Sequence, residues 1–129
     1  MIALDTNVVV RLLVDDDPAQ TRRARKLLET RTALVLPTVL LETEWVLRGA
    51  YELGRPAIAG SMRKLLGLPN VALGNAQAIG AALEWFEAGL DFADALHLAL
   101  AGDAEQFVTF DARLAKRARR ITARDVSTL

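Results

Sequence analysis

Four acidic side chains stand at positions where carboxylates can do chemistry, and three of them are aspartates. Asp5 directly follows the apolar segment Ile2–Leu4, and Asp111 follows the segment Gln106–Phe110, so each comes at the carboxyl end of a predicted strand. Asp94 lies in the first turn of a predicted helix. Clustered carboxylates suit hard cations such as Mg²⁺ and Mn²⁺, which polarise a phosphoryl oxygen and make bound water more nucleophilic. These positions therefore predict a metal-dependent reaction on a phosphate.

Helix capping explains each of the three aspartates equally well when each is considered alone. Aspartate is a favoured N-cap, and a carboxylate in the first turn of a helix is stabilised by the helix dipole. Asp94 also follows Asp91 at the spacing of a capping pair. Both interpretations of the aspartates stay open on these grounds.

The fourth acidic residue, Glu42, lies inside a predicted helix, where capping does not apply. Its neighbours one helical turn away are mostly apolar, and none of them is basic. We therefore expect Glu42 to point along a packed face, where an unpaired carboxylate is costly unless it binds a metal or acts in catalysis. Glu44 instead has Arg48 one turn further on, which is the arrangement of an ordinary surface pair. This contrast favours Glu42 over Glu44 as a functional residue.

The composition narrows the kind of site that these carboxylates can form. The chain of 129 residues has no cysteine and one histidine, which excludes disulfides and thiolate sites and leaves little room for zinc. The 16 Lys and Arg residues match the 16 Asp and Glu residues, so net charge does not indicate a partner. No apolar run approaches the roughly 18–20 residues of a membrane span, and no secretory signal is recognisable. We expect a cytoplasmic protein with no membrane partner.

Strands and helices alternate along the predicted chain, an order typical of α/β proteins with a parallel sheet. Strands are predicted at Ile2–Leu4, Ala33–Leu36, Val71–Leu73, Gln106–Phe110 and Ile121-Thr122, and helices at Val8–Val14, Ala19–Thr30, Pro37–Leu53, Pro56–Leu66, Asn75–Ala88, Phe92–Ala101 and Asp111–Arg119. We expect a single domain over residues 1–129, with a central, mainly parallel sheet of four to five short strands flanked by helices. Ligands of such folds bind beyond the carboxyl ends of the strands, where Asp5 and Asp111 are placed.

Four short segments resemble the acidic motifs of PIN domains, in the order and at the spacing of that family. They are Asp5-Thr6-Asn7, Leu41-Glu42-Thr43-Glu44-Trp45-Val46-Leu47, Asp91-Phe92-Ala93-Asp94-Ala95-Leu96-His97 and Val108-Thr109-Phe110-Asp111. The match covers essentially the whole chain. The short length and the Glu-x-x-Trp-Val-Leu segment resemble in particular the VapC toxins, a ribonuclease group within this family.

The resemblance implies a PIN-like fold and a metal-dependent endoribonuclease, the toxin of a toxin–antitoxin system, which hydrolyses phosphodiester bonds in tRNA, rRNA or mRNA. The family's metal-binding and catalytic positions are matched by Asp5, Glu42, Asp94 and Asp111, and its supporting polar positions by Asn7 and Thr109. Mg²⁺ or Mn²⁺ is the implied cofactor. A VapB-type antitoxin is the implied partner, and a homodimer is the usual assembly.

A basic segment begins directly after Asp111, and its cations include Arg113, Lys116, Arg117 and Arg120. Helices with such faces are often only solvated surface. Beside an acidic metal centre, however, a basic rim is what an RNA backbone needs in order to approach. We therefore predict that these four residues bind RNA.

Two other functions stay open. A PIN scaffold that has lost catalysis acts only as an RNA- or protein-binding module, but its signature would be a lost acidic position, and none is lost here. A doubly wound phosphotransferase with an N-terminal aspartate nucleophile typically needs a second aspartate two positions on, where this chain has Asn7. The chain also has no glycine-rich phosphate loop. The sequence favours the nuclease over both alternatives.

Overall fold

Helices and strands alternate along the chain, and every strand is short. The structure, a computed structural model, describes residues 1–129. In chain order the elements are β1 (Ile2–Ala3), α1 (Thr6–Leu13), α2 (Pro18–Thr30), β2 (Ala33–Val35), α3 (Pro37–Gly49), α4 (Arg55–Leu66), β3 (Val71–Leu73), α5 (Ala76–Glu87), α6 (Phe92–Leu100), β4 (Phe107–Thr109), α7 (Ala112–Ile121) and β5 (Val126–Thr128). The chain divides into two compact units, Met1–Ala76 and Gln77–Leu129. The predicted α/β class is confirmed.

The first unit is built on a three-stranded parallel sheet in the order β1-β2-β3. Ile2 aligns with Ala33, and Ala33 aligns with Val71. Adjacent parallel strands need a crossover connection, which α1 and α2 provide between the first two strands and α3 and α4 between the next two. The side chains of Ala33 and Val35 are fully buried, as expected for a central strand covered on both faces.

Prolines and an aspartate fix where the helices of this unit begin. Asp17 Oδ1 accepts a hydrogen bond from the Gln20 N–H at 3.2 Å, and Pro18 is the first residue of α2. An aspartate N-cap followed by proline at the first helical position is a favoured start for a helix. Pro37 and Pro56 likewise occupy the first turns of α3 and α4, where a missing N–H costs no helical hydrogen bond.

The end of α3 differs from the prediction. The helix stops at Gly49 rather than near Leu53. Glu52 adopts the left-handed backbone region with a φ of 54°, and the Leu53 N–H donates to the Leu47 carbonyl at 3.0 Å. A closed turn therefore replaces the last predicted turn of the helix.

The second unit begins with α5 and α6, which are joined at Gly89. The Leu90 N–H donates to the Trp85 carbonyl at 3.0 Å and the Gly89 N–H to the Phe86 carbonyl at 3.1 Å, the bond pattern of a Schellman motif. Gly89 has a φ of 122°, which only glycine adopts without strain. The buried rings of Phe86 and Phe92 then meet edge to face, with centroids 5.4 Å apart.

The last strand lies further along the chain than the sequence predicts. Ile121-Thr122 is not a strand, because α7 continues through the isoleucine and the threonine is its C-cap. The strand is β5, whose Val126 is buried at 2% exposure, and it pairs in parallel with β4 so that Thr109 aligns with Thr128. Val126 is the apolar residue that this segment buries. Its burial favours a strand at Val126–Thr128 over one at Ile121-Thr122.

Hydrogen bonds join the five strands as two sheets, of three and of two strands, where the sequence predicts one central sheet. All of the pairings are parallel, as predicted. None of the seven helices combines the length and the hydrophobicity that crossing a membrane would need.

Candidate active site

The first unit holds two of the predicted acidic residues, Asp5 and Glu42, in the wall of one pocket. The pocket has a volume of about 280 Å³, and Asn7 also lines it. Its other lining residues are Thr6, Val10, Arg11, Val46 and Tyr51. Asp5 and Glu42 are both exposed, so a hydrated cation can reach their carboxylates.

Asp5 caps α1 and still has one carboxylate oxygen available. Its Oδ1 accepts a hydrogen bond from the Thr6 N–H at 2.8 Å, and its carbonyl accepts from the N–H groups of Val8 and Val9. Its Oδ2 makes no hydrogen bond within the protein. Capping and metal binding are therefore compatible roles for this residue.

Glu42 does not lie on a packed face, so the sequence-based prediction of its surroundings is wrong. The buried face of α3 consists of Leu40, Thr43, Glu44 and Leu47, and Glu42 lies off that face and is exposed. These four residues have the spacing of a single helix face, which was the available signal in the sequence. Glu42 faces the pocket that it shares with Asp5 instead.

Glu44 is the buried carboxylate of α3. It is 3% exposed, and Arg48 donates to it through Nε at 3.0 Å and through Nη2 at 3.4 Å. The predicted ion pair is therefore present, but its acidic end lies in the interior instead of on the surface. The two hydrogen bonds supply the compensation that a buried carboxylate needs.

Arg11, Asp16 and Tyr51 form a hydrogen-bonded triad beside the same pocket, which the sequence did not reveal. Arg11 Nη1 donates to Asp16 Oδ1 at 2.7 Å and to the Tyr51 hydroxyl oxygen at 3.0 Å, and that hydroxyl donates to Asp16 Oδ2 at 2.6 Å. The hydrogen bond to Tyr51 raises the pKa of Arg11 above its ordinary value. No local pattern could have shown the triad, because Arg11 and Tyr51 are 40 positions apart.

The second unit holds the other two predicted acidic residues, Asp94 and Asp111, in a pocket of about 240 Å³. Its other lining residues are Leu90, Asp91, Arg113, Leu114 and Arg117. Carboxylate and guanidinium groups thus occur side by side in this pocket.

Asp111 is held by its own helix and by Thr109. Its Oδ1 accepts hydrogen bonds from the N–H groups of Arg113 and Leu114 at 2.9 and 3.1 Å, which makes it the N-cap of α7. The Thr109 hydroxyl oxygen accepts from the Asp111 N–H at 3.0 Å. Thr109 therefore positions the backbone of Asp111, and Asp111 Oδ2 makes no hydrogen bond within the protein.

Asp94 lies close to the negative charges of two other carboxylates, those of Asp91 and Asp111. Asp91 caps α6, as predicted, by accepting a hydrogen bond from the Asp94 N–H at 3.3 Å. Burial raises the pKa of the Asp94 carboxyl above its ordinary value, and the charges of Asp91 and Asp111 raise it further, while His97 lowers it. A divalent cation in this pocket would offset the same repulsion.

Two of the four cations predicted to bind RNA line the acidic pocket. Arg113 and Arg117 are lining residues, whereas Lys116 and Arg120 are exposed on α7 outside the pocket. Arg119 has a structural contact, because its Nε donates to the Val126 carbonyl at 2.9 Å and so ties α7 to β5.

The donor atoms of the two pockets fit Mg²⁺ or Mn²⁺. No group of three or more His, Cys, Asp or Glu side chains is placed to hold a metal on its own. Mg²⁺ usually binds through one or two carboxylates and keeps several water molecules and substrate phosphate oxygens as ligands. A pair of carboxylates in each pocket is consistent with this mode of Mg²⁺ coordination, whereas a closed structural metal site would need a complete set of protein ligands.

The model of the PIN domain family matches residues 2–120 of this chain. The chain therefore belongs to the PIN domain family, which is a family of nucleases. A comparison with curated proteins gave no match. Among solved structures, the chain is similar to the crystal structure of Mycobacterium tuberculosis VapC20, a sarcin-ricin loop cleaving toxin. The two are 21% identical, the match covers 90% of this chain and 94% of that chain, and the TM-score is 0.43.

Proposed function

We propose that this protein is a metal-dependent endoribonuclease that hydrolyses phosphodiester bonds in RNA. One feature common to both acidic pockets carries the proposal, because each pocket combines two motif carboxylates with at least one guanidinium group. The combinations are Asp5 and Glu42 with Arg11, and Asp94 and Asp111 with Arg113 and Arg117. Carboxylates hold a hard cation and guanidinium groups bind phosphate, which are the two requirements of metal-assisted phosphodiester hydrolysis.

The proposed metal ligands are Asp5, Glu42, Asp94 and Asp111, with Mg²⁺ or Mn²⁺ as the ion. When bound, the ion supplies a polarised phosphoryl oxygen and a more nucleophilic water. The oxygens that capping leaves available, Oδ2 of Asp5 in one pocket and Oδ2 of Asp111 in the other, are each suited to bind such an ion. Thr109 holds Asp111 in position, and Asn7 is the polar neighbour of Asp5 in its pocket.

The proposed role of the basic face of α7 is to hold the RNA backbone. Arg113 and Arg117 line the pocket of Asp94 and neutralise charge on a phosphate there. Lys116 and Arg120, which are exposed on the same helix, extend the positive surface for flanking phosphates.

We further propose that the enzyme is of the VapC type and acts in the cytoplasm as the toxin of a toxin–antitoxin pair. The four motifs, the short chain and the segment from Glu42 to Leu47 support this assignment. A VapB-type antitoxin is then the protein partner, and a homodimer is the expected assembly.

Cleavage of a labelled total-RNA pool by the partner-free protein tests the proposed activity. The reactions contain Mg²⁺, Mn²⁺ or EDTA, and the variants are Asp5→Asn and, as a matched control, Asp15→Asn. Asp15 is exposed, forms no hydrogen bond or ion pair and does not line the pocket, so the control removes the same charge elsewhere. We expect discrete fragments that need metal, persist in Asp15→Asn and disappear in Asp5→Asn.

Two results would count against the proposal. Fragments that persist in EDTA and in Asp5→Asn would point to a contaminant or to another site. Metal binding without cleavage of any RNA would favour the alternative of a catalytically silent PIN scaffold that only binds RNA or protein.

A further inference from the structure

A second cavity in the first unit adjoins the pocket of Asp5 and Glu42. It lies between α1 and α2 and has a volume of about 570 Å³. Its walls include Asn7, Val8, Arg11, Gln20, Arg23 and Leu27. Asn7 and Arg11 line both cavities, so the two cavities are neighbours. The volume is within the range of about 300–1,000 Å³ that is usual for ligand sites.

Arg11 presents a guanidinium group to this cavity in a fixed position. Its Nε donates to Gln20 Oε1 at 2.7 Å, and its Nη1 is held by Asp16 and Tyr51. Its Nη2 has no acceptor within the protein. A guanidinium that is already fixed loses little conformational entropy when it binds an anion.

Arg23 adds a second positive charge, and two apolar side chains lie near it. Arg23 is exposed and has no hydrogen-bond or ion-pair partner in the protein. Val8 is half-buried, and Leu27 is 37% exposed. The cavity thus has cations for a phosphate, apolar surface for the face of a base, and the amide of Asn7 for a base edge.

We propose that this cavity binds a nucleotide of the RNA strand next to the bond that is cut, with Arg11 and Arg23 on a backbone phosphate and with Val8 and Leu27 against the base. The inference rests on the proposed ribonuclease activity and extends it by assigning a substrate subsite. An acidic protein segment would also meet the two arginines. RNA is favoured because the cavity shares Asn7 and Arg11 with the pocket of the proposed metal ligands and because it offers both an apolar surface and amides.

Asp16 and Tyr51 act in this site as positioning residues. They hold Arg11 Nη1 and so fix the guanidinium group, while Nη2 makes no hydrogen bond within the protein. In the sequence Asp16 lies in an acidic segment before Pro18, and no local pattern links it to Arg11 or Tyr51.

The substitutions Arg23→Ala and Arg22→Ala form a matched pair for the test. Both arginines are exposed on α2 and both changes remove one charge, but only Arg23 lines the cavity. The probe is a fluorescent single-stranded RNA of mixed sequence and about 12 nucleotides, a length within the range that single-strand sites cover. Fluorescence anisotropy in EDTA gives its Kd over a series of salt concentrations without cleavage.

We expect Arg23→Ala to raise the Kd by about fivefold to tenfold and to flatten its salt dependence by a log–log slope of about 0.7, the value for one phosphate contact of a single strand. Arg22→Ala should change the Kd by less than about twofold. In the cleavage assay, Arg23→Ala should raise KM and leave kcat within about twofold, because the contact is made equally in the ground and transition states.

Three results would overturn the subsite. They are equal effects of the two substitutions, no binding of the RNA by the wild-type protein, and an oligoglutamate peptide that binds as tightly as the RNA with the same dependence on Arg23. Failure of the nuclease itself is distinguishable, because it would appear as the expected difference in Kd without any metal-dependent cleavage.

Discussion

Three aspartates cap the helices that follow them and also line the two pockets. Asp5, Asp91 and Asp111 each accept a hydrogen bond from an N–H group in the first turn of the helix that follows. Asparagine is an equally good N-cap but carries no charge, whereas alanine does not cap. The two substitutions therefore separate the structural role of such a residue from its proposed metal-binding role.

Asp111 is the best position for this comparison, because its Oδ1 accepts from two N–H groups. Asp111→Ala should lower the free energy of unfolding in EDTA by about 1 kcal/mol, and Asp111→Asn by only a few tenths. Both should abolish metal-dependent cleavage. Urea unfolding and the RNA cleavage assay measure the two effects. Full activity in Asp111→Asn would show that the residue is a cap and nothing more.

Asp94 makes the stability of the metal-free protein depend on pH. In the folded state burial and the neighbouring carboxylates raise the pKa of Asp94 above its ordinary value of 3.8. As the pH rises from that value through the raised one, the unfolded chain ionises first, so the folded state loses stability. Asp94→Asn removes this loss and should raise the Tm in EDTA at neutral pH, with a gain that fades below the ordinary value. Thermal unfolding at several pH values checks the sign, and a neutral-pH Tm below that of the wild type would refute it.

At the scale of the elements, the rotation of α3 decides which glutamate is structural and which is available for chemistry. The helix buries Glu44 with Arg48 and leaves Glu42 exposed in its pocket. The exposed residue, Glu42, is the one to which the resemblance to PIN domains points, although the sequence analysis expected it on a packed face.

Substitution of the two glutamates by alanine should give opposite results. Glu44→Ala removes a buried, doubly hydrogen-bonded carboxylate and should cost about 1 to 2 kcal/mol of unfolding free energy. Glu42→Ala changes an exposed side chain and should alter the stability by less than about 0.5 kcal/mol while it abolishes cleavage. Urea midpoints and cleavage rates check both. A larger loss of stability in Glu42→Ala than in Glu44→Ala would mean that the helix is rotated differently.

The elements that the sequence predicted well are those with local signals at their ends. Pro18 and the cap Asp17 mark the start of α2, and Gly89 marks the reversal after α5. The strand β5 has only three residues, and its position depends on a partner strand and on the burial of Val126. Pairing between distant segments leaves no local pattern in the sequence, and for this reason the prediction of the last strand at Ile121-Thr122 was wrong.

The residues of the candidate site also differ in whether a local sequence pattern could predict them. The four acidic positions follow from motifs, because each has a fixed local context after a strand or within a helix. The triad of Arg11, Asp16 and Tyr51 depends on contacts between distant segments, and so does the cavity that Arg23 lines. Side chains that complete a site from far along the chain become visible only once the chain is folded.

At the scale of the whole molecule, positive and negative side chains are equal in number but are concentrated in different places. The formal net charge is zero, yet the cations of α7 follow one another without an acid between them while the motif carboxylates occupy the pockets. Attraction to RNA must therefore come from local positive surfaces, and it should weaken with salt as those few contacts are screened. The PIN family model spans both units, from residue 2 to residue 120, so the proposed chemistry belongs to the chain as a whole.

Metal binding by the whole chain tests the central claim most directly. Titration calorimetry with Mn²⁺ and Mg²⁺ on the wild type, Glu42→Gln, Asp94→Asn and the control Asp15→Asn compares one acidic residue from each pocket with an acid outside both. We predict that the wild type and Asp15→Asn bind the ion and gain about 2.7 kcal/mol of stability at a hundredfold excess over Kd, and that each pocket variant binds less ion and is stabilised less. Unchanged metal affinity in Glu42→Gln and Asp94→Asn would contradict the account, since the ion would then be held elsewhere.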